Sequence, residues 1–342
     1  MTIIEARGLG RVFKTRRGVV EAVASVDLTV GRGEIVGFLG PNGAGKTTTL
    51  RMLTTLLRPS TGTATVVGCD LIGDPVGVRR AIGYVPQAVG SAGGGSDPNS
   101  SVREELVLQG RLYRKPAAEA SRRADLLVEQ LDLAGLERRL TKTLSGGQRR
   151  RLDIALGLAH SPQVIFLDEP STGLDPQSRS NLWDHIRRLR EDLGTTVFLS
   201  THYLDEADAL CDRVLVIDNG KVVAEGRPEE LKRRVSGDII TLEVNGDPGI
   251  AHAALTGRPG IREMTRDCCS VRLAVQHGER ALPELLRFLD NAGIALKSVH
   301  LASPTLDDVF LQLTGRALRD GSPVTQAQTP PARMLELEEI AG

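Results

Sequence analysis

The sequence has few of the features that would place a protein in a membrane or on nucleic acid. Its 43 Lys+Arg balance its 43 Asp+Glu, and this zero net charge disfavours a globally basic nucleic-acid binder. Aromatic residues are only 3% of the chain, which disfavours a base-stacking RNA-binding surface. The longest apolar runs, such as Ile35–Leu39 and Val164–Leu167, are strand-sized. Because a membrane-spanning helix needs about 20 apolar residues, we expect no membrane span.

Cysteines are also few, and their spacing carries no metal or disulfide signature. None of the four forms a CxxC pair, and the adjacent Cys268 and Cys269 are poorly placed to bridge each other. A reducing cytoplasm is therefore the expected compartment. The first residues, Met1–Glu5, lack the basic and apolar regions of a secretory signal. If the protein acts on a membrane process, we expect it to act through a partner.

Short β-rich runs alternate with helical patterns through the first two thirds of the chain, which predicts a mostly parallel sheet covered by helices. The predicted strands are Ile3–Leu9, Ala22–Val30, Glu34–Leu39, Gly62–Val67, Arg80–Val85, Val164–Leu167, Thr196–Ser200, Arg213–Asp218 and Lys221–Gly226. The predicted helices are Thr49–Leu57, Gly147–His160, Pro176–Leu193 and Tyr203–Leu210, together with a helix-rich stretch from Ser101 to Leu140.

A second unit begins near Gly237 and reads as a small α+β domain. Its predicted elements are strands at Ile239–Val244, Ser270–Ala274 and Leu296–Leu301 and helices at Leu282–Ala292 and Pro304–Leu313. We therefore expect two domains, at residues 1–236 and 237–318. Gly, Ser, Pro, Thr and Gln dominate from Arg319 onward, so residues 319–342 are predicted to be a flexible tail. The glycine-rich segment Gly90–Ser96 is predicted to be a flexible loop.

A phosphate-binding loop is the strongest local motif. The pattern GxxxxGK[ST] lies between a predicted strand and a predicted helix, the context in which such a loop binds nucleotide phosphates. Glycine lets the backbone wrap around phosphates, Lys46 supplies a positive charge, and the Thr47 hydroxyl can bind Mg²⁺. A chance glycine-rich turn is disfavoured by that context. The candidate nucleotide-binding residues of the loop are Gly40, Pro41, Asn42, Gly43, Ala44, Gly45, Lys46, Thr47 and Thr48.

Two adjacent carboxylates follow the apolar strand Val164–Leu167. Ligands in open α/β sheets bind at the carboxyl ends of strands, so Asp168 is placed to hold Mg²⁺ and Glu169 to act as the general base for water attack. An ordinary strand ending in a turn is the alternative, which the phosphate loop makes much less attractive. The two motifs predict nucleotide hydrolysis without choosing a family.

The segment Leu144-Ser145-Gly146-Gly147-Gln148 makes that choice. It precedes a predicted helix and offers a second anion-binding corner. Here the sequence resembles the ATP-binding-cassette (ABC) ATPases, whose signature motif is LSGGQ; a plain N-capped helix is the alternative. The resemblance implies that two cassettes sandwich two ATP molecules head to tail, so that Ser145, Gly146, Gly147 and Gln148 serve the nucleotide held by the other copy.

Other family motifs fall in order along the chain. The resemblance implies that Gln87 senses Mg²⁺ and the attacking water, that Asp175 belongs to the D-loop, and that His202 contacts the γ-phosphate. It also implies that Phe13 stacks on adenine, although an aromatic of a β-ribbon core is the alternative there. The implied fold is α/β: a P-loop NTPase ABC cassette with a RecA-like core, an antiparallel β subdomain and a helical subdomain, followed by the small C-terminal domain.

The C-terminal segment Ser303–Arg316 narrows the resemblance. Together with Gly37–Thr49 it looks like the ATP-binding subunits of daunorubicin/doxorubicin-resistance type, which pair with separate ABC-2-type permeases. Leu306, Val309, Phe310 and Leu313 share one apolar helix face. Packing within the small domain and contact across a dimer are two explanations for that face.

The expected protein is therefore a Mg²⁺- and ATP-dependent ATPase subunit of an exporter of a drug-like or lipid-like compound, associated with antibiotic resistance. Its expected partners are the permease, which holds it at the cytoplasmic face of the membrane, and a second copy of itself. A cassette for another cargo or for uptake, and a soluble ABC ATPase acting on ribosomes or DNA, are the alternatives. The Arg149–Arg151 run is read as a solvated or interface helix face and not as a nucleic-acid site.

Overall fold

The computed structural model describes residues 1–16, 18–87, 97–235, 238–266, 270–275, 277–302 and 304–314. Three of the sequence predictions lie outside this part of the chain. They concern the flexible loop Gly90–Ser96, the Cys268–Cys269 pair and the tail at 319–342. The domain boundaries at 236 and 318 likewise stay predictions.

Ten strands of the described chain form one large mixed sheet. They are β1 (Thr2–Thr15), β2 (Gly18–Gly31), β3 (Ile35–Leu39), β4 (Thr61–Val66), β5 (Cys69–Asp70), β6 (Ile82–Val85), β7 (Val164–Asp168), β8 (Thr196–Thr201), β9 (Arg213–Asp218) and β10 (Lys221–Gly226). Their order is β5-β4-β1-β2-β10-β9-β3-β8-β7-β6.

Only half of this sheet is parallel, which corrects the expectation of a mostly parallel one. Strands β9, β3, β8, β7 and β6 run parallel, whereas β1 pairs antiparallel with β2 and β4. The two halves differ in burial: every residue of β3 and β7 is buried, while β2 alternates buried and exposed positions over its second half. Parallel strands are covered on both faces, and antiparallel strands can leave one face in water.

The described part of the first 235 residues holds eight α-helices. They are α1 (Lys46–Leu53), α2 (Pro75–Ala81), α3 (Val102–Leu112), α4 (Ala117–Gln130), α5 (Gly146–Leu158), α6 (Pro176–Leu193), α7 (Leu204–Leu210) and α8 (Pro228–Val235). Four of them (α2, α3, α5 and α6) begin at a residue whose side chain caps the helix. Sequence reasoning missed α2 and α8 and placed Arg80 in a strand. Asp74 caps α2 and Pro75 occupies its first turn, a start signal that overrides the β-rich pattern that follows.

Residues 238–302, which we call the small domain, form the expected α+β unit. Its elements are β11 (Asp238–Val244), α9 (Pro248–Leu255), β12 (Ile261–Arg266), β13 (Ser270–Val275), α10 (Gly278–Asn291) and β14 (Leu296–Ala302). The four strands form an antiparallel sheet in the order β12-β13-β11-β14. The predicted elements are confirmed, while α9 and β12 were not foreseen.

The last helix of the described residues, α11 (Leu306–Thr314), returns to the cassette. It packs against α8 and α7, and Leu306, Val309 and Phe310 join the same buried cluster as Leu231 of α8 and Leu210 of α7. The interpretation of its apolar face as packing within the small domain is therefore wrong. Leu313, the fourth residue of that face, is 41% exposed.

In the described part of the chain, no helix is both long and apolar enough to cross a membrane.

Candidate active site

Four neighbouring parallel strands end at one edge of the large sheet, and most of the predicted site residues follow them. The phosphate loop follows β3, His202 follows β8, Asp168 and Glu169 stand at the end of β7, and Gln87 follows β6. Strand order β3-β8-β7-β6 therefore brings four separate sequence motifs to one place, where ligands bind in open α/β sheets.

Two glycines of the phosphate loop are required by close backbone approaches. A Cβ atom on Gly40 would lie 2.4 Å from the carbonyl oxygen of Ile217, and one on Gly45 would lie 2.7 Å from that of Ala22. Gly45 also has a φ of 106°, which side chains of L-residues rarely allow. Helix α1 begins directly afterwards at Lys46, so its positive N-terminal end faces the loop.

Lys46 is buried at the centre of the site. Its Nζ atom donates to the carbonyl oxygens of Gly40 at 2.7 Å and Pro41 at 3.1 Å, and lies 3.2 Å from Glu169 Oε1. Burial lowers the pKa of Lys46, and the Glu169 carboxylate opposes that shift. The Lys46 ammonium group is therefore held between two carbonyl oxygens of the phosphate loop and the Glu169 carboxylate.

Asp168 forms an oxygen-rich pair with Thr47. Its Oδ1 atom accepts a hydrogen bond from Thr47 Oγ1 at 3.1 Å and another from Ser200 Oγ at 2.6 Å. Carboxylate and hydroxyl oxygens suit Mg²⁺, which usually keeps several waters and substrate phosphate oxygens as further ligands. Among the described residues, no group of three or more His, Cys, Asp or Glu side chains could hold a metal ion.

Glu169 is held in an unusual backbone conformation. Its φ is 45°, in the left-handed region, and its N–H donates to both the carbonyl oxygen and the Oγ atom of Ser200, at 3.1 and 3.0 Å. A non-glycine residue in this region costs free energy, and such residues cluster at functional sites where the surroundings fix them.

The side chain of Glu169 is 5% exposed and collects several donors. Its Oε2 atom accepts from Gln87 Nε2 at 2.7 Å and Thr172 Oγ1 at 3.2 Å, and lies 3.2 Å from His202 Nδ1. Burial raises the pKa of Glu169, but His202 and Lys46 together outweigh burial and hold the pKa at about 2. The carboxylate is therefore fully ionised at neutral pH.

Two residues next to Glu169 were missed or misread from the sequence. Ser200 pairs with Asp168 in the β7–β8 register and bonds both Asp168 and Glu169, a role that only strand pairing reveals. Arg150 was read as part of a solvated or interface helix face, but it is 8% exposed and donates to backbone carbonyls beside the site. That interpretation is wrong for Arg150, which points toward the sheet because it lies on the inner face of α5.

The signature residues do not join the Lys46 cluster within a single chain. Ser145 caps α5 and exchanges hydrogen bonds with Gln148, so the N-capped helix is present, and Ser145 and Gly146 are exposed. A Cβ atom on Gly147 would lie 3.4 Å from Ser178 Oγ, so the start of α5 adjoins the start of α6. Asp175 caps α6 there, is exposed, and accepts hydrogen bonds from Ser178.

Phe13 lies on β1, in its hairpin with β2. It is half-buried and pairs with Val20 across the hairpin, and the guanidinium carbon of Arg11 lies 4.7 Å from its ring centre. It does not belong to the buried cores of the described chain. Its predicted stacking on adenine stays a prediction.

Comparison with known proteins agrees with this geometry. Residues 23–172 match the family described as ABC transporter, and residues 226–314 match the C-terminal domain described as ATP-binding protein DrrA1-3-like. The daunorubicin/doxorubicin resistance ATP-binding protein DrrA of Streptomyces peucetius is 43% identical over 325 residues, covering 93% of this chain and 94% of that protein. This chain belongs to the ABC transporter ATPases.

This ABC ATPase is also similar to a second curated relative and to a solved structure. The Nod factor export ATP-binding protein I of Ralstonia nicotianae is 37% identical over 321 residues, covering 93% of this chain and 95% of that protein. The ATP-binding cassette MJ0796, solved as a dimer in a post-hydrolysis state with ADP and Pi, matches with a TM-score of 0.58 at 25% identity and covers 66% of this chain. The matched fold is that of a nucleotide-binding cassette, and the DrrA-like C-terminal domain sets this ABC ATPase apart from a bare cassette.

Proposed function

We propose that this ABC ATPase powers the export of a drug-like or lipid-like compound through a separate ABC-2-type permease. The observation that carries the proposal is the match to the daunorubicin/doxorubicin resistance protein, which spans the cassette, the small domain and α11 together. The relative named for Nod factor export supports the direction of transport. An uptake system or a role on ribosomes or DNA has no comparable support here.

The residues at the sheet edge suit ATP hydrolysis. The loop from Gly40 to Thr48 would surround the phosphates, and Thr47, Asp168 and Gln87 would hold Mg²⁺ near them. When bound, Mg²⁺ neutralises phosphate charge. Phosphate oxygens would also draw Lys46 away from Glu169, and loss of that partner would raise the pKa of the carboxylate toward the range of a useful general base.

Glu169 is the proposed general base for water attack. Its carboxylate is fixed by Gln87, Thr172 and the adjacent His202, all of which reach the same Oε2 atom. His202 is 26% exposed on its side chain and can turn from Glu169 to the γ-phosphate once nucleotide is present. Positioning of water and charge, and not covalent chemistry, is what such a site supplies.

A second copy of the chain would complete each site. The first turn of α5 leaves backbone N–H groups available beside the exposed Ser145 and Gly146, and such helix ends bind anions. The cassette MJ0796, which is dimeric with ADP and Pi bound, supports a dimer. In the proposed head-to-tail arrangement these groups and Asp175 would face the partner's nucleotide. Phe13 would stack on adenine in the same copy that holds the phosphates.

Permease docking is supported by the surface around α3. A cavity of about 330 Å³ lies between β6, α3 and α5, and Leu108, Leu112 and Tyr113 at its rim are exposed apolar side chains. Its wall also includes Pro86, which directly precedes Gln87 in the chain. A permease segment seated here would touch the segment that leads to Gln87 and hold the ATPase at the cytoplasmic membrane face.

The decisive experiment compares Glu169→Gln with the wild-type chain in vesicles that contain a co-expressed ABC-2-type permease. Removing the general base should lower ATP turnover by about 10²–10⁴-fold while ATP binding persists and a dimer accumulates. ATP-dependent doxorubicin movement should disappear with the turnover. Glu191→Gln, an exposed change on α6, is the matched control and should leave both unchanged. Normal hydrolysis by Glu169→Gln would refute the general base.

A further inference from the structure

The backbone on both sides of Glu169 is fixed by one side chain. The Arg150 guanidinium donates from Nη2 to the carbonyl oxygen of Asp168 at 3.0 Å and from Nε to that of Pro170 at 2.9 Å. These two carbonyls are the immediate neighbours of Glu169, whose φ is 45°. A left-handed non-glycine residue persists only where the surrounding structure fixes it, and these two hydrogen bonds add to those that Ser200 makes with the Glu169 N–H.

The third hydrogen bond of the same guanidinium reaches another strand. Nη1 of Arg150 donates to the carbonyl oxygen of Pro86 at 2.7 Å, and Pro86 is followed by Gln87, whose amide bonds Glu169. One planar group therefore ties the chain before Gln87 to the chain around Glu169. The guanidinium is buried, so water does not compete for these bonds and their geometry is well defined.

We propose that Arg150 is a positioning residue for hydrolysis, which sets the relative placement of Glu169 and Gln87 through three backbone carbonyls. The inference rests on the proposed role of Glu169 as general base. Arg150 also lies on α5, the helix that begins at the signature residue Ser145. Its guanidinium therefore connects the start of that helix to the ends of β6 and β7, so that a shift of α5 changes the geometry around the attacking water.

A lysine at position 150 would keep the positive charge but could not form the same three hydrogen bonds. Arginine presents five N–H donors in a rigid plane, whereas lysine presents one ammonium on a flexible stem. That ammonium cannot reach the three carbonyls of these two chain segments with the same directions. Arg151 offers a matched comparison, because its guanidinium also donates to a backbone carbonyl, that of Asp132 at 3.2 Å, which follows α4 and is not one of the carbonyls around Glu169 and Gln87.

The test compares Arg150→Lys with Arg151→Lys in the full chain. Steady-state ATP hydrolysis gives kcat and KM, a fluorescent ATP analogue gives the dissociation constant, and thermal unfolding reports folding. Arg150→Lys should lower kcat by about 10–100-fold, the cost of misplacing reacting groups, while the dissociation constant and KM change less than about threefold. Arg151→Lys should match the wild type in all three.

A double-mutant cycle with Gln87→Ala separates positioning from general damage. If Arg150 acts through Gln87 and Glu169, Arg150→Lys should lower kcat less in the Gln87→Ala background than in the wild type. Should Arg150→Lys not fold, Arg150→Gln is measured in its place.

Three results would overturn the proposal. The first is that Arg150→Lys has the same kcat as Arg151→Lys. The second is that Arg150→Lys loses kcat, ATP affinity and thermal stability together. The third is that the effects of Arg150→Lys and Gln87→Ala on kcat are fully additive. A different result would refute the general-base role of Glu169: Glu169→Gln would retain ATP hydrolysis, whatever the kcat of Arg150→Lys.

Discussion

Replacing Phe310 with alanine would show whether α11 is a structural part of the cassette. Phe310 is fully buried and belongs to one cluster with Leu231 of α8 and Leu210 of α7. The change removes an entire ring from this contact. Because α7 and α8 are themselves packed into the buried cluster, their side chains can collapse only partly into the space left behind.

The expected cost of this change is large. Replacing a buried phenylalanine by alanine costs about 3–5 kcal/mol in protein cores. For a domain of the cassette's size, each kcal/mol lowers the melting temperature by about 2–4 °C, so the cassette should melt about 6–20 °C lower. Leu313→Ala on the same helix, at a side chain that is 41% exposed, should stay within about 1 kcal/mol of the wild type.

The only tryptophan of the sequence provides an assay that sees the cassette alone. Trp183 lies on α6, and its Nε1 atom donates to Glu206 Oε1 on α7 at 3.1 Å. Its fluorescence therefore follows unfolding next to one of the helices that α11 contacts. If Phe310→Ala left the Trp183 transition unchanged, α11 would not contribute to the cassette core and our assignment of its packing would be refuted.

Two further predictions concern the site and the pH dependence of stability. Lys46→Ala should weaken ATP binding itself, because the charge beside the phosphate loop is lost; an unchanged dissociation constant would refute the phosphate role of Lys46. Burial lowers the pKa of His160 from 6.5 to about 4. Between pH 6.5 and pH 4, His160 is therefore protonated in the unfolded chain and neutral in the folded chain. Stability should therefore fall as pH drops from 6.5 to 4, by up to about 3 kcal/mol from this group. His160→Gln should flatten that part of the pH–stability curve, measured by urea unfolding against a His252→Gln control, and an unchanged slope would contradict it.

The sequence was sufficient where short-range signals and strand ends decide the structure. Lys46, Asp168, Glu169, Gln87 and His202 each follow a strand, and parallel pairing alone brings them together. Helix α6 was placed correctly because Asp175-Pro176 starts it and Gly194, with a φ of 62°, ends it. These are local rules that need no knowledge of the partner strands.

Long-range packing is what the sequence could not show. Arg150 stands between two other arginines and reads as surface charge, yet α5 turns it toward the carbonyls around Glu169. The apolar face of α11 is evident in the sequence, but its partner is set by the path of the chain through the small domain. The antiparallel half of the large sheet was implied by the family resemblance and not by the strand patterns, because individual strand patterns do not state the direction of their neighbours.

The return of α11 has a consequence for synthesis on the ribosome. Leu231 and Phe310 meet in the cassette core, yet the whole small domain lies between them in the chain. Because synthesis runs from the N-terminus and domains fold as they emerge, the cassette core stays open until the small domain has been made and α11 has left the ribosome. Completion of the small domain therefore brings the last piece of the cassette into reach, and a chain released early would expose the face of α8 that α11 covers.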